Sequence, residues 1–180
     1  MHMALKTPRW TRADLDRLPE DGNRYEVLEG ALLVTPPPSV EHEMIVSWLT
    51  SRIVPFVVAN GIGQVQHPRA VVVIDGSQIE PDMIVRPAAR FSTWETAPLP
   101  LLVIEVVSRG TRRRDLEEKR EFYMKKGIAE YWAIDRFART VFRFTPGGKE
   151  SIGAAFAWTP PGSRSALDID VAAMFTDTLG

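Results

Sequence analysis

Residues 101–107 read Leu-Leu-Val-Ile-Glu-Val-Val, an apolar run broken by one carboxylate, Glu105. A strand that is apolar at successive positions is covered on both faces, so this run predicts the centre of a sheet flanked by helices. Downstream, Thr111–Lys126 is a strongly charged helical segment with Leu116, Phe122 and Tyr123 as buried candidates and Gly127 as its stop. Glu130–Ile134 then returns as a strand. A crossover helix between two strands of one sheet sets them parallel, so Glu130–Ile134 is expected beside Leu101–Val107. The pattern predicts an α/β fold with a mixed α+β arrangement, a central mixed sheet flanked by helices.

Working outward, Gln64–Ile74 reads as a valine-rich strand ending in the turn Asp75-Gly76, and Ile79–Val85 should pair with it as an antiparallel hairpin. From Val40 to about Asn60 the residues Ile45, Trp48, Leu49, Ile53, Phe56 and Val57 recur at helical spacing, with Ser39 as cap and Pro55 expected to kink or end the regular part. Arg24–Thr35 reads as a hairpin around Glu29-Gly30, and Thr11 with Asp14 as a capping box. Arg86–Pro100 reads as a long loop. Thr140–Phe144 reads as a strand, and the tail as a strand near Phe156 and a closing turn near Met174. The 180 residues show no internal repeat and fit one domain, with a core at about residues 24–145 and an extension over 146–180.

Composition narrows the function classes. The chain has no cysteine, which excludes disulfides, thiolate nucleophiles and Cys-ligated zinc. No apolar run reaches the roughly 20 residues of a membrane helix, and Met1–Arg12 lacks the apolar centre of a signal peptide, so the expectation is a cytoplasmic protein without a membrane partner. The net charge of −1 and pI near 6.3 argue against gripping nucleic acid with the whole surface. Contact with a polyanion would need a local patch or a metal.

The chemistry-bearing feature is a pair of carboxylates on adjacent strands, Asp82 after Pro81 and Glu105 within 101–107. A lone ionised carboxylate in an apolar strand is expensive to bury and must be neutralised or meet a cation. An oxygen-rich pair suits Mg²⁺ or Mn²⁺, with water filling the other positions. The competing reading makes Glu105 half of a structural ion pair. Without such a partner, Glu105→Gln should raise the metal-free melting temperature; with one, it should destabilise.

Pro81-Asp82, Glu105-Val106-Val107, Ser108, Thr111 through Asp115, Lys119, Tyr123, Gly127 and Glu130–Asp135 resemble the Uma-type restriction endonuclease family of the PD-(D/E)XK nuclease superfamily. The resemblance extends upstream through Tyr25-Glu26-Val27, Gly30 and residues 36–42, and covers roughly Arg24–Phe144. It implies a restriction-endonuclease-like core and metal-dependent cleavage of DNA. It also implies that Asp82, Glu105 and the Val106 carbonyl hold the ion. Where the superfamily places lysine, this chain has Val107. The resemblance implies that Lys119 takes over from the next helix, four residues after Asp115, which would orient its ammonium, and four before Tyr123.

Each residue has a plainer alternative. Lys119 and the run Arg112-Arg113-Arg114 could be solvated helix charges, although the run also suits phosphates. Glu26 is either an accessory acid or base, or a surface ion-pair partner. His42 either reaches a metal or phosphate, or makes a local bond at its helix end. Tyr123 and Trp132 read as core aromatics, and Asp135 as a turn cap. The leading expectation is a Mg²⁺-dependent DNA endonuclease, for which a cut on both strands would favour a two-fold dimer. A catalytically inactive nuclease-fold module that binds nucleic acid or protein is the alternative. A hydrolase of small phosphorylated molecules would need a phosphate-binding loop, and Gly61-Ile62-Gly63 lacks the helix that should follow one.

Overall fold

The computed structural model describes residues 9–180; residues 1–8, within the stretch read above as lacking a signal peptide, lie outside the described residues. No helix among the described residues is long and apolar enough to cross a membrane. The elements run α1 (Arg12–Leu15), β1 (Arg24–Leu28), β2 (Ala31–Thr35), α2 (Val40–Ala59), β3 (Gly63–Gln66), β4 (Val72–Ile74), β5 (Ser77–Ile79), β6 (Met83–Pro87) and β7 (Leu102–Val107). A π-helical segment (Arg114–Lys119) leads into α3 (Arg120–Lys125), followed by β8 (Tyr131–Asp135), β9 (Thr140–Thr145), β10 (Gly148–Ile152), β11 (Ala155–Trp158), β12 (Leu167–Asp170) and α4 (Val171–Leu179).

Six strands form the main sheet in the order β10-β9-β8-β7-β6-β3. All neighbours are antiparallel except β7 and β8, which are parallel as the crossover requires. All of β7 is buried. Its alternation sends Leu102, Ile104 and Val106 to one face, into a core with Ile45, Leu49 and Ile53 of α2. Val103 and Val107 go to the other face, with Phe122 and Tyr123 of α3. Glu105 lies between those two valines on the α3 side. That side also carries a second sheet, ordered β2-β1-β5-β4.

The expected hairpin of Gln64–Ile74 with Ile79–Val85 forms, but in two pieces. β3 pairs with β6 in the main sheet, while β4 pairs with β5 in the second. Pro68 and Pro81 are the physical reason: each lacks an N–H and cannot continue a ladder, so the hairpin leaves one sheet and enters the other there. The Arg86 guanidinium holds the crossing by donating to Val71 O at 2.7 Å, to Gln66 Oε1 at 3.0 Å and to Pro98 O, which also anchors the loop after β6.

α2 runs through Pro55 to Ala59, within a residue of the expected end near Asn60. Two other expectations need correction. The segment 111–126 is helical but contains the π turns. The predicted closing turn near Met174 is a helix, capped by Asp170 through Ala173 N at 2.8 Å, and it buries Val171, Met174, Phe175 and Thr178. Those positions repeat at helical spacing, so the signal was present in the sequence. Through Met174, Phe175 and Trp158 the C-terminal region packs into the α2 core.

Candidate active site

Met83 pairs with Ile104, so Asp82, one residue before β6, lies level with Glu105 on β7. Its position in the bend after Pro81 frees Asp82 from the ladder. Its Oδ2 accepts the Val106 N–H at 2.7 Å. Its Oδ1 accepts from the Arg24 guanidinium at 2.9 Å and lies 3.4 Å from His42 Nε2. Burial works against ionisation of Asp82, but the His42 hydrogen bond, Arg24 and the Val106 N–H hold it well below the usual carboxylate range.

Glu105 has a different environment. Lys119 Nζ donates to Glu105 Oε1 at 2.7 Å and to Glu26 Oε1 at 2.9 Å. Glu26 and Lys119 are fully buried and Glu105 nearly so. Tyr123 adds a hydroxyl at 3.3 Å from the same Glu105 oxygen, and the Glu80 N–H donates to Glu26 Oε1 at 2.9 Å. Burial pushes Glu105 up to about 8, against the opposing charge of Lys119, with Asp82 and Asp115 adding to the rise. For Lys119 burial pulls downward, but the charges of Glu105 and Glu26 outweigh it and hold the ammonium above its ordinary value. Glu105 is therefore not a lone buried carboxyl, since it shares one ammonium with Glu26.

The sequence singled out Asp82, Glu105, Lys119, Glu26, His42 and Asp115, and these residues do gather. Their roles differ in detail. Glu26, read as a surface ion-pair partner by preference, is buried against Lys119. Asp115 was expected to orient the ammonium, but the hydrogen bonds to Lys119 come from Glu26 and Glu105. Asp115 acts on it through charge, and burial raises its own carboxyl. His42 makes the expected helix-end bond, from its N–H to Ser39 Oγ at 3.4 Å, while its ring reaches Asp82. The residue at Val106 contributes its N–H to Asp82. Arg24 was missed as a site residue, although it stands two positions from Glu26 on β1 and shares its face.

The π turns end at Lys119, and Asp115, Lys119 and Tyr123 are all buried under this helix. Such turns often occur at functional sites. Val107 is sealed in the cluster of Phe122, Tyr123 and Tyr131. A cleft of about 1540 Å³ opens over the site, lined by Asp82, Glu105, Asp115, Arg24, His42 and Arg136 among others. Lys119 and Glu26 lie beneath its floor rather than in its wall.

The donor set bears on the cation that the resemblance implies. No group of three or more His, Cys, Asp or Glu side chains suited to a metal exists among the described residues. Two cleft-facing carboxylates on paired segments remain, and Glu26 Oε2 is buried without a hydrogen-bond partner among the described residues. Mg²⁺ is commonly held by one or two carboxylates with several waters, and the residues present fit that pattern.

A family model described as Uma2, "Putative restriction endonuclease", matches residues 12–168. The chain belongs to the Uma2 family. A crystal structure from Anabaena variabilis, described as "a putative nuclease belonging to DUF820", is similar in fold, with a TM-score of 0.79 at 22% identity. That likeness covers 94% of this chain and 99% of the other. No curated protein matches. The mixed sheet and flanking helices of this Uma2 member are therefore those of a nuclease-like fold.

Proposed function

We propose that this Uma2 protein is a metal-dependent endonuclease that hydrolyses DNA phosphodiester bonds. The observation that carries the reading is the meeting of Asp82 and Glu105 at the floor of an open cleft, with a buried lysine bonded to Glu105. The ionised carboxylate of Asp82, together with Glu105 and the Val106 carbonyl, would hold Mg²⁺ or Mn²⁺. A divalent cation there would act as a Lewis acid on the phosphoryl oxygen and lower the pKa of the attacking water.

The remaining work falls to the chain. Lys119 fixes the Glu105 carboxylate and compensates its charge from beneath, so its effect on substrate runs through Glu105. Glu26 holds Lys119 in place from the other side. Arg24 faces the cleft from Asp82 and is the cation placed to meet charge developing on phosphorus. On this reading the ammonium comes from the helix, while Val107 occupies the strand position two residues after Glu105.

The test is nicking of supercoiled plasmid in Mg²⁺ or Mn²⁺. Wild type is expected to cut, Asp82→Asn and Glu105→Gln to lose cutting, and Lys119→Met to lose cutting while keeping Mn²⁺ binding. Lys119→Met cutting at the wild-type rate would remove Lys119 from the reading. One observation favours the alternative of an inactive module: Arg24 and Lys119 already neutralise Asp82 and Glu105 from within the protein. Wild type that neither binds Mn²⁺ nor cuts DNA would establish that alternative.

A further inference from the structure

Because β7 and β8 are parallel, with Val107 opposite Asp135, the loops that leave them emerge side by side at the same edge of the sheet. One carries Arg109, Arg112 and Arg113, and the other carries Arg136, Phe137 and Arg139. Five guanidiniums thus gather at one end of a chain whose net charge is −1. Glu105 lies two residues before the end of β7, and Arg136 lines the same cleft as Glu105. The patch is continuous with the mouth of the site.

Its centre is built. Phe137 is 43% exposed, unusual for a phenylalanine, and two guanidinium carbons lie over its ring. Arg109 is 5.0 Å and Arg136 4.5 Å from the ring centroid, within cation–π range. Asp135, fully buried, fixes the turn that presents the ring. Its Oδ1 accepts the N–H groups of Phe137 and Ala138, each at 3.1 Å, and its Oδ2 accepts Arg112 Nε at 2.9 Å. Arg136 also approaches Glu41 at 3.4 Å, and Arg113 pairs with Glu117 at 3.1 Å. Arg109 has no carboxylate partner among the described residues. An exposed guanidinium laid on an aromatic ring is held in orientation with its N–H donors open, so little freedom is lost when it meets a phosphate.

We infer that Arg109, Phe137 and Arg136 form a docking platform for the DNA phosphate backbone flanking the scissile position at the cleft mouth. The inference rests on the nuclease reading above and deepens it by naming where substrate is gripped. It also answers the mild acidity of the chain, since the grip is concentrated in one patch instead of spread over the surface.

The experiment is fluorescence anisotropy with a labelled DNA duplex of about 20 base pairs, titrated over a range of NaCl, once in Ca²⁺ and once in chelator. Arg109→Ala is expected to weaken binding roughly three- to tenfold and to lower the slope of log affinity against log salt by about one. Phe137→Ala, which releases both guanidiniums, should weaken binding at least as much. Lys149→Ala is the control. Lys149 pairs with Phe144, which pairs with Tyr131 at the start of β8, so it lies at the opposite end of the sheet and should change nothing. Thermal melts confirm that each variant is folded. If wild type binds and Arg109→Ala and Phe137→Ala bind equally well, the platform is refuted while the nuclease reading stands. The same holds if Lys149→Ala loses as much as Arg109→Ala, because the contact would then not be local. If wild type binds duplex DNA in neither condition, both the platform and the DNA reading fail.

Discussion

Lys119→Met isolates the charge balance on which the site depends. The methionine keeps the length and apolar stem of the lysine and removes only the ammonium, which bridges Glu105 at 2.7 Å and Glu26 at 2.9 Å. Removing one partner from a buried ion pair typically costs about 3–5 kcal/mol, because the remaining charge stays buried. The site can escape by taking up a proton in place of the lost cation. That uptake costs about 3.7 kcal/mol at pH 7 for a carboxyl of ordinary pKa near 4.3, and about 1 kcal/mol at pH 5. The two estimates agree at neutral pH.

The sign of the pH dependence follows. A carboxyl whose folded pKa is raised contributes stability that is full below its unfolded value and is lost as pH rises through the folded value. Glu105, pushed up to about 8, already gives the wild type one such contribution between pH 4.5 and 8. The variant binds one proton more in that window, so its deficit relative to wild type should grow by about 1.4 kcal/mol per pH unit. The deficit is expected to be about 1–2 kcal/mol at pH 5 and about 3–5 kcal/mol at pH 7. Urea unfolding in chelator, followed by the fluorescence of the buried Trp132 and Trp158, measures it by linear extrapolation. Adding Glu105→Gln to Lys119→Met should recover at least about 1 kcal/mol at pH 7, since the carboxylate is then gone. A deficit below about 1 kcal/mol at pH 7, or one that is flat from pH 5 to pH 8, would refute Lys119 as the charge partner of Glu105.

The other predictions concern the metal and the sheet. Calorimetric titration with Mn²⁺ should give binding in the wild type and none in Asp82→Ala/Glu105→Ala; equal heats in both would remove these carboxylates as ligands. Because Glu105 must lose its proton to hold a cation, Mn²⁺ affinity should rise with pH, by up to about tenfold per unit from pH 6 to pH 8. Glu105→Gln keeps an oxygen to accept from Lys119 and removes the proton uptake that burial imposes on Glu105, so in chelator at pH 7 it should melt at or above the wild type; a lower melting temperature would mean that Glu105 is ionised against Lys119. Val107→Lys places an ammonium among Phe122, Tyr123 and Tyr131, so it should destabilise by several kcal/mol, of order 3 or more, rather than substitute for Lys119; a variant as stable as wild type counts against this packing. Gly63→Ala would drive its Cβ into the Arg86 carbonyl oxygen, forcing β3 away from β6, and should cost about 1–3 kcal/mol or more in urea unfolding.

How far the sequence could be read depends on whether a signal is local. The run 101–107 announces its own burial, and the charged segment between it and Glu130–Ile134 announces a crossover, so the parallel pair at the centre of the sheet was legible. The pairing of Asp82 with Glu105 followed, because Asp82 leads into a strand that the reading placed beside the one holding Glu105. The transfer of the hairpin between two sheets was not legible. Pro68 and Pro81 mark where a ladder must stop, but not that the chain continues into a second sheet, which depends on β1 being there to receive β5. The helix near Met174 was legible in its spacing and was overlooked beside weaker neighbouring signals. The burial of Glu26 was out of reach, since a carboxylate in a short hairpin is ordinarily solvated and nothing nearby in the sequence indicates that Lys119 will meet it from 93 residues away.

That long-range meeting also fits a valine, rather than a charged residue, at position 107. Side chains at 105 and 107 share a face, so a lysine at 107 would compete for the space under the helix now filled by Phe122, Tyr123 and Tyr131. With valine there, the apolar cluster closes without a charge, and the cation arrives from above through the π turns that end at Lys119. The helix segment then needs a second carboxylate to share an ammonium that is fully buried, and Glu26 supplies it from the other sheet. The Glu105–Lys119–Glu26 bridge thus ties the crossover helix to both sheets, so a change at any of the three should alter stability and the site together. The covering sheet is in this sense part of the site, because β1 delivers Glu26 to Lys119 and Arg24 to Asp82 from adjacent positions on one face.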